Sequence, residues 1–414
     1  MSRKWLERES AHWVQKGIVS EEQVRNIMEL YPVERHAGRI LPVLGALLVG
    51  LGVLSFVAAN WQGIHPFARL AILLVTLTGF YTAGERFVKQ GNEKLGIALA
   101  GAGLLTFGGS LFLIAQMFHL TSNNIASFVL WGAFGTALTW LYRSRFIFIL
   151  TAAILVISQF YSLNEFHTFS YVSAALLLAG LGSYWWRYCS GLLSLVLGAA
   201  VLIECAGFIS HWDGEPIWFI VPLMVLYTAG DWLRQKERDA VYPLQALVLA
   251  VAYLMALFGA AIDELSIYSR PWADAPVFIP ILLVLAALSA WGKQRRKRLG
   301  SLPEWLILLP AFLLPMGSSG VTYLLLMFLF SLYVLTAGFK AQWRFKINLG
   351  TLLFLATTLV AYTKLTWGFM DKSMFFLIGG LLLLGISWYL NKQKREALKP
   401  EGGNPDELND RSKK

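Results

Sequence analysis

Three stretches of this chain, at 40–60, 96–118 and 242–262, each run for about twenty residues without one Asp, Glu, Lys or Arg. A helix of that length spans a hydrocarbon core of roughly 30 Å, and in lipid it satisfies its own backbone hydrogen bonds. The runs lack the polar–apolar alternation of barrel strands. The fold class that follows is all-α, a polytopic helical integral membrane protein. Charge content agrees: 14% of residues are charged, against roughly 25% in soluble domains.

Apolar periodicity predicts about fourteen spans, at 40–60, 67–84, 96–118, 124–142, 146–161, 170–186, 192–209, 216–233, 242–262, 275–291, 303–316, 321–339, 347–366 and 373–391. The shortest are 146–161 and 303–316. Pro303, Pro310 and Pro315 make the second a kinked or re-entrant candidate. The connecting charges orient the chain. With the N-terminus in the cytoplasm, every Lys and Arg except Arg69, Arg270, Lys364 and Lys372 falls on the inner side. Such a bias is the positive-inside rule at work, and it places both termini in the cytoplasm. The formal net charge of +10 is therefore orientation chemistry rather than a nucleic-acid surface. The densest basic run, KQRRKR from Lys293 to Arg298, is expected to set topology and to meet anionic lipid.

Four regions result. Residues 1–39 are polar and read as a helical hairpin under the bilayer. Gly17 ends its first helix, and Ser20 with Gln23 forms a capping box at the start of its second. Residues 40–150 carry spans 1–5, residues 151–391 carry the rest, and 392–414 form a polar tail with the composition of a disordered segment. The polar first 39 residues make 40–60 a retained span rather than a cleaved signal. Cys189 and Cys205 lie toward opposite ends of one predicted helix, so neither a disulfide nor a thiolate metal site is expected.

The first 150 residues resemble a known family. W-V-Q-K-G-I-V-S at 13–20 leads into L-G-A-L-L-V-G-L-G-V at 44–53; that span closes on A-A-N-W at 58–61, and a later one on A-Q-M-F-H at 115–119. In this order the elements resemble the prokaryotic membrane proteins grouped as domain of unknown function 2157. The resemblance implies an inner-membrane protein of a bacterium or archaeon and carries no activity and no catalytic residue with it.

Polar groups collect at the predicted outer end. His65, His119, His167 and His211 each follow an apolar run that starts on the basic side. Asn60 and His65 close span 1; Gln116 and His119 close span 3 three residues apart, on one helical face. If the glycines of spans 1 and 3 bring those helices together, these four groups converge on a solute or ion. Glu204 is the sharpest single candidate. It sits about five residues inside the outer end of span 7, roughly 7–8 Å below the interface. A carboxylate there needs a proton, a cation or a hydrogen-bonding neighbour. His167, His211, Asp213 and Glu215 are outer-loop cation ligands by residue type, although H-W-D-G-E is a spacing that chance supplies and no H-E-x-x-H occurs.

The function that follows is a transporter-like protein for a cation or small solute with a polar, outward-facing site. Two alternatives stand beside it. One is a non-catalytic scaffold or sensor working through the cytoplasmic hairpin. The other is a membrane enzyme acting on a lipid-linked envelope substrate, which the short outer loops disfavour. No nucleotide, haem or nucleic-acid signature is present, so no cofactor is expected.

Overall fold

The computed structural model describes residues 13–30, 64–118, 125–233, 241–261, 275–295, 299–309 and 319–366, with scattered positions at 9–10, 44–55 and 377–388. Among the described residues there is no strand. The helices are α1 (Glu21–Leu30), α2 (Pro66–Lys89), α3 (Glu93–Met117), α4 (Ala126–Tyr142), α5 (Arg145–Phe166), a composite α6, α7 (Gly191–His211), α8 (Ile220–Leu233), α9 (Tyr242–Ala261), α10 (Ala275–Arg295), α11 (Ser319–Lys340) and α12 (Arg344–Thr366). Composite α6 is the α-helix Tyr171–Ala175, the π-helix Leu176–Leu181 and the α-helix Gly182–Arg187. Short 3-10 helices, Pro216–Phe219 and Leu299–Leu308, precede α8 and α11.

Among the described residues, nine helices are long and apolar enough to cross a membrane. They carry exposed side chains such as Phe258, Leu283 and Leu352. In an aqueous protein these would be liabilities; facing acyl chains they cost nothing. Of the expected span at 303–316, residues 303–309 are described. Leu299–Leu308 is a 3-10 helix of 10 residues, about 20 Å long at its rise per residue, too short for the hydrocarbon core. Pro303 lies inside it and supplies no amide to its hydrogen-bond ladder. Most of 40–60, 310–318, most of 373–391 and the tail at 392–414 lie outside the described residues, so a count of fourteen and the side of each terminus stay expectations.

The chain divides into two units, Met1–Leu150 and Thr151–Lys414. In the first, Gly17 at φ +68 ends the first turn of the hairpin, which a β-carbon would resist. The capping box forms as expected: Ser20 N–H donates to Gln23 Oε1 at 2.9 Å, and Gln23 N–H to Ser20 Oγ at 3.2 Å. Helices α2 and α3 cross at Gly84 and Gly96, where a β-carbon on Gly96 would lie 2.6 Å from the Gly84 carbonyl oxygen. The other α3 glycines serve a purpose beyond pairing with span 1. A β-carbon on Gly101 would strike Phe146, on Gly103 Tyr81, and on Gly108 Trp131, so each glycine is a socket for a ring from α5, α2 or α4. Trp131 is fixed in its socket by a 2.8 Å hydrogen bond from Nε1 to the Leu104 carbonyl. Of the span-1 glycines, Gly50 alone approaches α3, beside Ala102 and Thr106.

The second unit packs around Leu223, Tyr227, Val248, Ala256 and Met327, all buried, contributed by α8, α9 and α11. Small residues again set the approach. A β-carbon on Gly198 would lie 2.3 Å from Leu244 Cδ1, and one on Gly350 would lie 2.7 Å from the Leu335 backbone. Helices α5 and α6 are joined by a 2.9 Å hydroxyl pair, Ser158 with Ser173. Serines and threonines elsewhere mostly return their hydroxyls to the carbonyl four residues back, as Thr136, Thr357 and Thr358 do, and so stay neutral in an apolar setting.

Candidate functional site

Glu204 lies on α7, which continues to His211, so the carboxylate sits seven residues from the helix end, about 10 Å along the axis and deeper than expected from sequence. Its side chain is 5% exposed. Neither carboxylate oxygen has a hydrogen-bond partner among the described residues. Four other side chains there hold an unpartnered buried atom, those of Tyr81, Thr106, Gln159 and Trp305, and none of the four is an acid. Among the described residues Glu204 therefore stands alone as a buried acid with both oxygens free. An isolated carboxylate in such surroundings costs several kcal/mol relative to water unless it takes a proton or gains a cation.

The carboxylate faces open space. A cavity of about 500 Å³ lies between α6, α7, the Pro216–Phe219 turn and α8. Phe169, Tyr171, Phe208, Trp212 and Trp218 supply its aromatic walls, and Glu204 is the one charged group on its lining. The rings hold each other: Phe169 meets Phe208 edge-on at 5.3 Å and Tyr171 at 5.2 Å, and Phe208 tilts against Trp212 at 6.3 Å. Leu177 and Leu178 of the π-helix form a further wall. A π-turn widens the helix by one residue and frequently marks functional positions. The rim is apolar and open, with Tyr171, Leu178 and Trp212 more than half exposed. A second cavity of about 270 Å³, lined by Tyr171, Phe208, His211 and Trp212, shares three of those residues and carries the space toward the α7 terminus.

The other expected residues are placed separately. His211 is exposed and stacked on Phe169 at 6.5 Å. Asp213 is exposed at φ 50 in the loop after α7, and Glu215 precedes the Pro216–Phe219 turn. His167 is exposed, with φ 51. No cluster of three or more His, Cys, Asp or Glu able to hold an ion occurs among the described residues. In the first unit Gln116 is exposed, and His65 precedes α2 and stacks on Phe67 at 5.7 Å. Asn60 and His119 lie outside the described residues, so the expected convergence of that quartet has no geometry here.

The densest polar assembly sits at the opposite end of the second unit, and sequence reading missed it. Asp231 of α8 and Lys293 of α10 are 8% and 2% exposed, with Lys293 Nζ 3.5 Å from Asp231 Oδ1. Gln245 Nε2 of α9 donates to Asp231 Oδ1 at 2.9 Å, and the Ser289 hydroxyl donates to Oδ2 at 2.5 Å. Lys293 also donates to Tyr227 Oη and to Ser301 Oγ, each at 2.8 Å. Tyr227 passes the chain on, donating to Glu304 Oε2 at 2.5 Å. Three helices and the Leu299–Leu308 turn are thus tied by one network. Lys293 was expected at the head of a basic, lipid-facing run; it is buried because it neutralises Asp231. Arg295 remains outside, over the rings of Trp291 at 4.1 Å and Trp232 at 5.8 Å, while 296–298 lie outside the described residues. The signal was present in T-A-G-D-W-L at 228–233, an acid just inside a span end, which requires a partner.

The fold and these two sites define a polytopic α-helical membrane protein whose second unit holds, among the described residues, one paired and one unpaired buried acid. Residues 11–148 match the family model described as "Predicted membrane protein (DUF2157)". No curated protein and no solved structure matches the chain.

Proposed function

We propose that this is a transporter-like protein of a prokaryotic inner membrane, with both termini cytoplasmic, and that Glu204 is its proton- or cation-binding group, facing outward. One observation carries the reading: both Glu204 oxygens are without partners while the side chain lines a 500 Å³ cavity. A buried acid with a purely structural role finds a donor, because the unmet desolvation cost is larger than that of rotating a neighbour into place. A single carboxylate holds a proton or a cation but not both, which is the elementary exchange of a coupled carrier. The orientation rests on the basic loops.

Access to position 204 tests this. Cys189 and Cys205 are replaced by Ser, and Glu204→Cys or Asp213→Cys is introduced singly. A membrane-impermeant thiol reagent is applied to intact cells and to inverted vesicles. Labelling of both positions in intact cells is the expected result. Labelling of Asp213→Cys with none of Glu204→Cys would overturn the transport reading and turn attention to partners of the 13–30 hairpin. Labelling of Asp213→Cys only in inverted vesicles would reverse the orientation.

A further inference from the structure

We infer that the ligand of the Glu204 cavity is a lipophilic monovalent cation, a positively charged centre bearing aromatic or aliphatic substituents. The inference rests on the reading of Glu204 as a cation site and narrows it to a chemical class.

Three features of the cavity select that class. Charge comes first: the lining holds one acid and no Lys, Arg or His, so a single positive charge is complemented and an anion or a dication is not. Second, the walls carry almost nothing that replaces a hydration shell. Alkali and divalent ions exchange water for several oxygen ligands; here one carboxylate stands among Phe169, Phe208, Trp212, Trp218 and leucines. A small hydrated ion would lose more in desolvation than one carboxylate returns. An organic cation has weak hydration, buries its substituents against these walls, and adds attraction between its charge and the ring faces. Third, the size fits: about 500 Å³ lies in the range of small-molecule sites and far exceeds the need of a bare ion. The apolar rim at Tyr171 and Leu178 would admit such a compound without a polar vestibule.

The elements around Glu204 leave the site without a competing cation. Composite α6 contributes Tyr171, α7 contributes Cys205 beside the acid, and the cavity-lining part of α8 contributes no titratable group. His211, exposed in the neighbouring space, is the one group there that can carry positive charge.

The test uses the full-length protein in lipid nanodiscs with tetraphenylphosphonium as probe, read by quenching of the tryptophan fluorescence and by calorimetry against empty nanodiscs. Saturable binding at one site is expected, with neutral triphenylphosphine oxide at least about 30-fold weaker and Glu204→Gln lowering affinity for the cation by a similar factor. Leu178→Trp, at an exposed wall position, should block binding without touching the acid, and serves if Glu204→Gln does not fold. Equal affinity for the cation and the neutral compound, or undiminished binding in both variants, overturns the inference. So does absence of binding to the folded wild-type protein. In the last case thiol labelling at position 204 separates the two levels. If the position is accessible, a hydrated cation or proton site survives and only the ligand class falls; if it is not, both fall.

Discussion

Glu204 and Asp231 are both acids on apolar helices of the same unit, both under a tenth exposed, yet their surroundings are opposite. Asp231 is met by a lysine, an amide and a hydroxyl, and the lysine is in turn held by Tyr227 and Ser301. Glu204 is met by aromatic rings and empty space. The first arrangement spends its charge inside the protein, where it ties helices together. The second leaves the carboxyl without a partner beside a cavity. Burial alone therefore does not separate the two acids; the presence or absence of a partner does.

Breaking the paired end should have the largest effect. Lys293→Ala or Asp231→Ala strands its partner as an uncompensated buried charge, with a loss of about 3–5 kcal/mol. Thermal unfolding in detergent followed by size-exclusion chromatography should show it. The double substitution Asp231→Leu with Lys293→Met should recover most of the loss, since an apolar pair of similar volume needs no partner. If the double variant is as unstable as the single ones, the network does more than cancel its own charge.

Next comes Tyr227→Phe. It removes the hydroxyl that links Lys293 to Glu304, and hydrogen bonds to charged groups are each worth about 1.5–3 kcal/mol. The 3-10 turn Leu299–Leu308 should loosen from the bundle, visible as faster proteolysis near Glu304.

Gly230→Ala sharpens the comparison from the backbone side. Its β-carbon would sit 2.5 Å from Gln245 Cγ, displacing a member of the network, for a cost of about 1–3 kcal/mol. Gly207→Ala, near Glu204, meets the tip of Leu163 at 2.8 Å, and a leucine tip can turn aside. The first variant should melt below the second.

The smallest effect is expected at Glu204→Leu, with stability unchanged or raised by about 1 kcal/mol, because no contact is lost and an unpaired polar group leaves the interior. A large destabilisation there would mean that the carboxyl has a structural partner, and the contrast between the two acids would collapse.

The spans at 67–84, 96–118, 192–209 and 242–262 were legible from composition alone, because lipid permits a backbone to be polar only when it bonds to itself. The capping box at Ser20 was legible in detail, since it is a contact between residues three apart. Glu204 could be singled out because an acid inside an apolar run is conspicuous. Asp231 and Glu304 escaped because they stand near span ends, where a charge reads as belonging to the interface. Lys293 was misplaced for the same reason. The tally of basic residues that orients the chain assigns such a lysine to a loop, whereas α10 runs through Arg295 and carries it into the protein.

The sequence by itself determined the solvent of this protein and its helical class, both consequences of local length, hydropathy and charge. Only the tertiary structure decided which buried acid was paired. Asp231 and Lys293 are brought together across sixty-two positions (231 to 293) by helix packing, while Glu204 is left facing a cavity lined by residues of three helices, one of them carrying the π-turn. Pairing is a matter of distance in space, and a linear pattern records only distance along the chain.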